Sequence, residues 1–393
     1  MPDSPQDAMT AQMPIRRHAM TIGAAITCIT LVGVALSLSS PLISLVMAGR
    51  GISATVIGLN TAFGSSATLM MAPLIPRVAK AIGLRALLFL TLASGGTMMA
   101  LFPAFDSLAA WFALRFVFGA SVGTLFVLSE YWIAATAPPA RRGMIMGIYA
   151  TALSLGFAAG PALLAAAGGA SQTLFFIGAS FFAVAALPIL LAGDGAPPLE
   201  GKARGNAWTL VLLAPIATLA SFLYGAVEQS SFAFLPLYGE IIGLTTAQAA
   251  LLLTLFGLGN VLSQVPIGIL SDRMDRRLLI LVCALVTLAG VLALPFAAGT
   301  PTAMMALVFV TGGVVGGLYT VGLAHLGARF TGSELATANA AFVMLYAFGM
   351  FVGSPAVGVV VDAVRPHGFA YAVAALCAAY CVLVAMRMAA RRD

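Results

Sequence analysis

Charge is scarce in this chain. Asp, Glu, Lys and Arg make up 8% of its 393 residues, against roughly 25% in an average soluble domain, which excludes an ordinary solvated surface. Histidine occurs three times, at 18, 325 and 367, in a tail, at a helix end and in a loop. No HExxH pair and no nucleophile with a base in reach can be assembled from these, so an intramembrane hydrolase is the weakest class of reading. The four cysteines, Cys28, Cys283, Cys377 and Cys381, lie in apolar stretches without zinc-type spacing, and they read as small apolar side chains. Cys377 and Cys381 share a helix face, but a disulfide there is the less favoured reading. No GxxxxGK[ST] loop is present, so a nucleotide does not supply energy. No cofactor, metal or nucleic-acid partner is expected. A non-transporting receptor or scaffold is the other-class alternative, favoured by a large soluble extension, and none is seen.

What the chain has in abundance is apolar sequence: 61% of residues are hydrophobic and the mean hydropathy is +1.05. A bilayer span takes about 20 mostly apolar residues. Twelve such runs can be marked, near 20–47, 54–76, 83–104, 107–136, 143–168, 171–192, 207–238, 245–270, 277–298, 302–327, 335–363 and 367–388. Arg16 and Arg17 before the first run resemble a signal peptide, but no soluble mature domain follows. With the N-terminus inside, sixteen of the nineteen Lys and Arg are cytoplasmic, Arg50 and Arg365 lie outside, and Arg115 lies within a span. The positive-inside rule therefore predicts a multi-pass plasma (inner) membrane protein with both termini cytoplasmic. The net charge of +6 then reads as topology and attraction to membrane lipid.

An internal repeat is visible at an offset of 193 residues. Gly64, Pro73, Gly119, Gly123, Gly156 and Gly160 meet Gly257, Pro266, Gly312, Gly316, Gly349 and Gly353. The expected organisation is a tail at 1–19, a six-helix bundle at 20–192, a polar cytoplasmic linker at 193–206, a second six-helix bundle at 207–388 and a short tail at 389–393. The fold class is all-α, polytopic and pseudo-symmetric, and duplicated halves are typical of secondary transporters. The pairs Gly119/Gly123 and Gly156/Gly160 at i, i+4 form small ridges for close helix approach, and ordinary packing accounts for them.

The run GILSDRMDRR, residues 268–277, resembles the loop signature of the major facilitator superfamily through Gly268, Asp272, Arg273, Arg276 and Arg277. The first-half counterpart, PLIPRVAKAIGLR, keeps Gly83 and Arg85 but has no acidic residue. RFVFGASVG is similar to the family's Arg-to-Gly motif through Arg115, Gly119 and Gly123. Gly147, Gly156, Gly160 and Pro161 resemble its antiporter motif, with Leu164 and Ala165 in place of the final glycines. SEYW, FLPLYGEIIGL and GGLYTVGLAHLGARF look like its YcaD-type, small drug-efflux-like branch. The resemblance implies alternating access, a central cavity lined by spans 1, 4, 7 and 10, and a gate at the 268–277 loop. Read as residues alone, that loop holds one motif carboxylate and three guanidinium groups at a cytoplasmic helix end, where charge-assisted bonds can form and break; lipid binding is the bland alternative.

Three ionisable groups sit well within spans: Arg115, Glu130 and Glu228. Each costs at least about 2.5 kcal/mol at the centre of a lone helix, so such groups mark a cavity or a partner. Arg115 and Glu130 are fifteen residues apart, about 22 Å along one helix, too far to neutralise one another. Arg115 and Glu228 both lie about 13–15 Å below the outer surface. On the implied arrangement they face one cavity, with Glu228 as the titratable group and Tyr224 and Ser231 on its helical face. A structural ion pair is the alternative for Glu228, and locking of neighbouring helices is the alternative for Arg115. Tyr319 is an expected cavity wall, and Asn60, Asn260 and Gln264 are expected to bond across the halves. Glu130 and His325 lie near the cytoplasmic gate, with interfacial packing as the alternative for the histidine. The combined expectation is a monomeric secondary transporter, not an enzyme, that exports a small organic molecule in exchange for protons; proton-coupled uptake is the runner-up.

Overall fold

The computed structural model describes residues 15–71, 73–136, 142–192, 214–330 and 332–389, so residues 1–14 of the expected tail at 1–19, the linker at 193–206 and residues 390–393 lie outside the described residues, while 15–19, expected in the tail, open the first helix. Among the described residues the chain forms α-helices and two short 3-10 turns, with no strand. In hydrocarbon every backbone N–H and C=O needs a partner within the protein, and a helix supplies them locally.

The helices are α1 (Ile15–Gly49), α2 (Ala54–Met71), α3 (Ile75–Ile82), α4 (Leu84–Leu101), α5 (Leu108–Thr136), α6 (Arg142–Ala166), α7 (Gln172–Ala192), α8 (Pro215–Ile241), α9 (Thr246–Arg273), α10 (Arg276–Ala293), α11 (Pro301–Arg329), α12 (Gly332–Ala363) and α13 (Gly368–Ala389). Nine of them, all but α2, α3, α6 and α8, are long and apolar enough among the described residues to cross a membrane. Polar side chains explain two of the exceptions: α2 carries Asn60 and several hydroxyls, and α8 carries Tyr224 and the stretch Glu228–Ser231. The eight-residue α3 corrects the expectation of one span at 54–76. Pro76 opens it, and Gly83, at a φ of +88° that other residues rarely adopt, ends it. Large apolar side chains left exposed, such as Phe296 at 91%, fit contact with lipid.

The chain divides into two compact units. Unit 1 holds 1–39, 63–160 and 171–201; unit 2 holds 40–62, 161–170 and 202–393. The second half by sequence therefore shares its unit with the start of α2 and with the segment that begins at Pro161.

Within unit 1, Gly119 of α5 lies against Gly64 of α2; a Cβ on it would come 2.7 Å from the Gly64 Cα. Thr68 of α2 donates to the Gly119 carbonyl at 3.0 Å. Gly156 and Gly160 of α6 lie on α1, and a Cβ on Gly156 would stand 2.6 Å from the Thr30 carbonyl oxygen. Within unit 2 the same scheme recurs at the repeat offset. Gly312 of α11 meets Phe256 of α9, while Gly349 and Gly353 of α12 meet Phe222 and Ala226 of α8. The repeated glycines are points of backbone approach, the means by which helices associate when lipid removes the hydrophobic drive between them. Gly147 lies in α6, but its surroundings fall outside the described residues.

These contacts make opposite predictions for two motif glycines. Gly119→Ala forces a Cβ onto the Gly64 backbone, where overpacking costs about 1–3 kcal/mol, and should lower the melting temperature of the purified protein. Gly268 has open space where its Cβ would be. Gly268→Ala gains helix propensity of about 1 kcal/mol and should leave the melting temperature unchanged or raised. A thermal-shift comparison of the two variants checks both, and an unaffected Gly119→Ala protein would refute the packing role.

Candidate functional site

Glu228 sits thirteen residues from either end of α8 (Pro215–Ile241). The helix around it is tied down on several sides. Ser221 donates to the Phe342 carbonyl of α12 at 2.8 Å, and Tyr380 of α13 donates to the Ile216 carbonyl at 2.8 Å. Gly225 lets the backbone of α12 approach at Tyr346. Gly225 and Glu228 are three residues apart and share a face, so the close approach that seats α12 also delivers Tyr346 to the carboxylate.

The carboxylate accepts two phenol protons. Tyr224 donates to Oε1 at 2.6 Å and Tyr346 donates to Oε2 at 2.5 Å. From Tyr224 the chain of donors continues: the Asn260 amide of α9 donates to the Tyr224 oxygen at 3.1 Å, Gln264 donates to Asn260 Oδ1 at 2.9 Å, and Thr320 of α11 donates to Gln264 Oε1. Every donor in this series points toward Glu228. Bonds to an ionised group are about twice as strong as neutral ones, and aligned donors polarise one another. Gly316 of α11 makes room for the amide, since a Cβ there would stand 2.7 Å from Asn260 Nδ2. One carboxylate thus joins α8, α9, α11 and α12.

Aromatic rings enclose the polar centre. Tyr224 stacks with Tyr346 at 5.8 Å between centroids. Tyr319 stands 5.5 Å from Tyr224, 5.6 Å from Tyr346 and 5.0 Å from Phe342.

Of the residues expected around Glu228, Tyr224 and Tyr319 are there and Ser231 is not. Its hydroxyl donates to the Val227 carbonyl at 2.7 Å, the usual back-bond of a helical serine. Tyr346 was not anticipated. It lies three residues before Gly349, so the face marked by the repeated glycine was the available signal. Asn260 and Gln264 bond inside unit 2 instead of bridging the halves, because Tyr224 and Thr320 are in reach. Asn60 is fully buried on α2 with no side-chain partner among the described residues, a situation that costs about 1–3 kcal/mol.

Arg115 is 4% exposed, and its stem and Nε lie along Gly64 of α2, inside unit 1. Glu130 is exposed and accepts the Tyr149 hydroxyl of α6 at 3.1 Å. His325 is half-buried near the end of α11.

In the 268–277 loop, Asp272 has a side chain 76% exposed and pairs with Arg276 at 3.6 Å. Asp275, absent from the expected gating set, caps α10: it accepts from the backbone N–H of Arg277 at 2.8 Å and of Leu278 at 3.4 Å. An Asp directly before the run RRLLILV was its sequence signal. Arg273 ends α9 and Arg277 lies in the first turn of α10. Among the described residues no His, Cys, Asp and Glu group is arranged to hold a metal.

Comparison with known proteins agrees with this architecture. The family model described as Major Facilitator Superfamily matches residues 25–252 and 217–393. The uncharacterized MFS-type transporter YfkF of Bacillus subtilis (strain 168) is 25% identical over 333 residues, covering 81% of this chain and 83% of that one. The uncharacterized MFS-type transporter YcaD of Escherichia fergusonii is 22% identical over 246 residues, covering 62% and 63%. Among solved structures, a bacterial homolog to the human lysosomal transporter Spinster, inward-facing and occupied, superposes with a TM-score of 0.79 at 13% identity over 97% of this chain and 98% of that one. The nucleoside transporter NupG gives 0.76 at 17% identity over 96% and 99%. At these identities the likeness is one of fold.

The two loop aspartates are separable by stability. Asp275→Ala removes a cap worth about 1 kcal/mol and should lower the melting temperature, whereas Asp272→Ala breaks only an exposed ion pair worth about 0–1 kcal/mol and should scarcely change it. Equal effects would count against the cap.

Proposed function

The chain belongs to the Major Facilitator Superfamily, and from that premise we propose that it exports a small organic molecule in exchange for protons, with Glu228 as the proton-carrying group. Membership makes it a multi-pass membrane transporter and not an enzyme, with lipid and a small-molecule substrate as its partners. The finer architecture in this reading is twelve spans in two six-helix bundles, the nine apolar helices being joined by α2, α6 and α8. It resides in the inner membrane as a monomer with both termini cytoplasmic, an orientation supported by the distribution of Lys and Arg.

The observation that carries the reading is the double tyrosine contact of Glu228 at 2.6 and 2.5 Å. An ionised carboxylate accepts both phenol protons. A proton on one of its oxygens turns that oxygen into a donor, and the tyrosine on that side must turn away or find another acceptor. Loading the proton therefore loosens the tie between α8 and α12 or the one to Tyr224, and unloading restores it. Asn260, Gln264 and Thr320 position Tyr224 for this change. Tyr319, backed by the buried Phe342, gives an organic substrate an aromatic wall beside the same group, so that substrate and proton contend for one place. Export is supported by the antiporter-like Gly156, Gly160 and Pro161. Arg115 takes the helix-locking role. The cytoplasmic gate is assigned to the 268–277 loop, with Asp275 holding the helix end and Glu130 and His325 at similar depth.

The test is flux in proteoliposomes against a panel of organic compounds with an imposed pH gradient. Glu228→Gln keeps the shape but cannot titrate, so gradient-driven net transport should be lost while exchange at equal pH persists. Tyr346→Phe removes one bond to a charged acceptor, roughly 1.5 kcal/mol, and should weaken gradient-driven flux about tenfold with the protein still folded. A Glu228→Gln protein that responds to the gradient like the unaltered chain would overturn the assignment; accumulation with the proton gradient instead of against it would make the protein an uptake symporter.

A further inference from the structure

The start of α2 is held by a residue more than three hundred positions away. Asp362, one residue before the end of α12, accepts the Ala54 N–H through Oδ1 at 2.9 Å, and through Oδ2 it accepts the Thr55 N–H at 2.8 Å and the Thr55 hydroxyl at 2.6 Å. The first N–H groups of a helix lack partners within it and carry partial positive charge. A carboxylate with both oxygens engaged there is a charge-assisted clamp.

Below the clamp, α2 and α12 touch backbone to backbone. A Cβ on Gly58 would come 2.9 Å from the Pro355 Cα, and a Cβ on Gly358 would come 2.9 Å from the Ala54 carbonyl carbon. Ser354, on the α12 side of this seam, is fully buried, and its hydroxyl has no hydrogen-bond partner among the described residues. Buried without a partner, it favours any arrangement that lets water reach it. The clamp and the seam work in opposite directions.

By sequence, α2 belongs to the first repeat and α12 to the second. Transport by alternating access requires the repeats to part on each side in turn. On the topology proposed above, residues 50–54 and 364–367 are at the outer surface. We propose that Asp362 is the latch of the outer gate: its carboxylate grips the N-terminus of α2 while that side is shut and releases it when that side opens. The proposal rests on the alternating-access reading of the preceding subsection. It accounts for why a seam with a buried unpartnered hydroxyl stays closed, and it assigns Thr55 as the latch's second half, since its hydroxyl adds a third bond to the same carboxylate.

The test uses Ser354→Cys as a reporter, because that position is buried while the seam is closed. Intact cells expressing the full chain are treated with a membrane-impermeant sulfonated maleimide, and labelling is timed against the chain with serine at 354. That parent supplies the background of the four native cysteines, all of them buried. Adding Asp362→Ala, which removes all three bonds, should speed labelling of the reporter more than tenfold, about tenfold being the factor carried by one lost bond to a charged group. Thr55→Val, which keeps the shape and both backbone bonds, should speed it by a smaller factor. Size-exclusion profiles confirm that the variants compared are folded, and Asp362→Asn replaces Asp362→Ala if the latter is not. A measurable labelling rate that neither substitution changes overturns the latch and leaves alternating access standing. Absence of labelling in every background overturns alternating access at this seam and the latch with it.

Discussion

A polar group in hydrocarbon has no water to bond, and this constraint shapes the molecule at every scale. It makes the described chain helical, since a helix pairs its own backbone groups. It also gives each embedded side chain with hydrogen-bonding capacity a disproportionate influence on packing. Glu228 is the clearest instance: its carboxylate accepts from Tyr224 of its own helix and Tyr346 of α12, and Asn260, Gln264 and Thr320 of α9 and α11 extend the series behind Tyr224. The site is therefore part of what holds unit 2 together. A charge placed this way cannot be altered without consequences for four helices.

The second constraint is approach distance. Lipid tails are as apolar as leucine, so helices gain little by burying leucines against each other, and association depends on close backbone contact. Gly119 against Gly64 in unit 1 and Gly312 against Phe256 in unit 2 are the same crossing made twice, as are Gly156 on α1 and Gly349 on α8. Tyr346 reaches Glu228 because Gly225 and Gly349 seat α12 against α8. Packing and chemistry are in this sense one arrangement.

Polar satisfaction is uneven across the molecule. The Glu228 cluster has a partner for every group described in it, while Asn60 and Ser354 have none among the described residues. A transporter needs such unevenness. A structure with every polar group satisfied in one conformation has less reason to leave it than one that buries unpaired groups.

Much of this was legible in the sequence. Hydropathy marked the helices to within a few residues for most spans, because length and apolarity are set by the bilayer and need no knowledge of neighbours. The repeated glycines marked the crossings, and Glu228 stood out because a carboxylate in an apolar run is costly on its own account. What the sequence could not determine was partnership. Ser231, on the same helical face, was the expected companion for Glu228, and Tyr346, 118 residues away, was not. Only the seating of α12 decided for the tyrosine, while the serine turned to its own helix. Asp362 drew no notice as a polar residue near a loop, because its ligands, Ala54 and Thr55, are over three hundred residues distant along the chain. Periodicity and composition describe what one helix can tolerate; which donor meets which acceptor depends on where two helices cross, and the tertiary structure alone decides that.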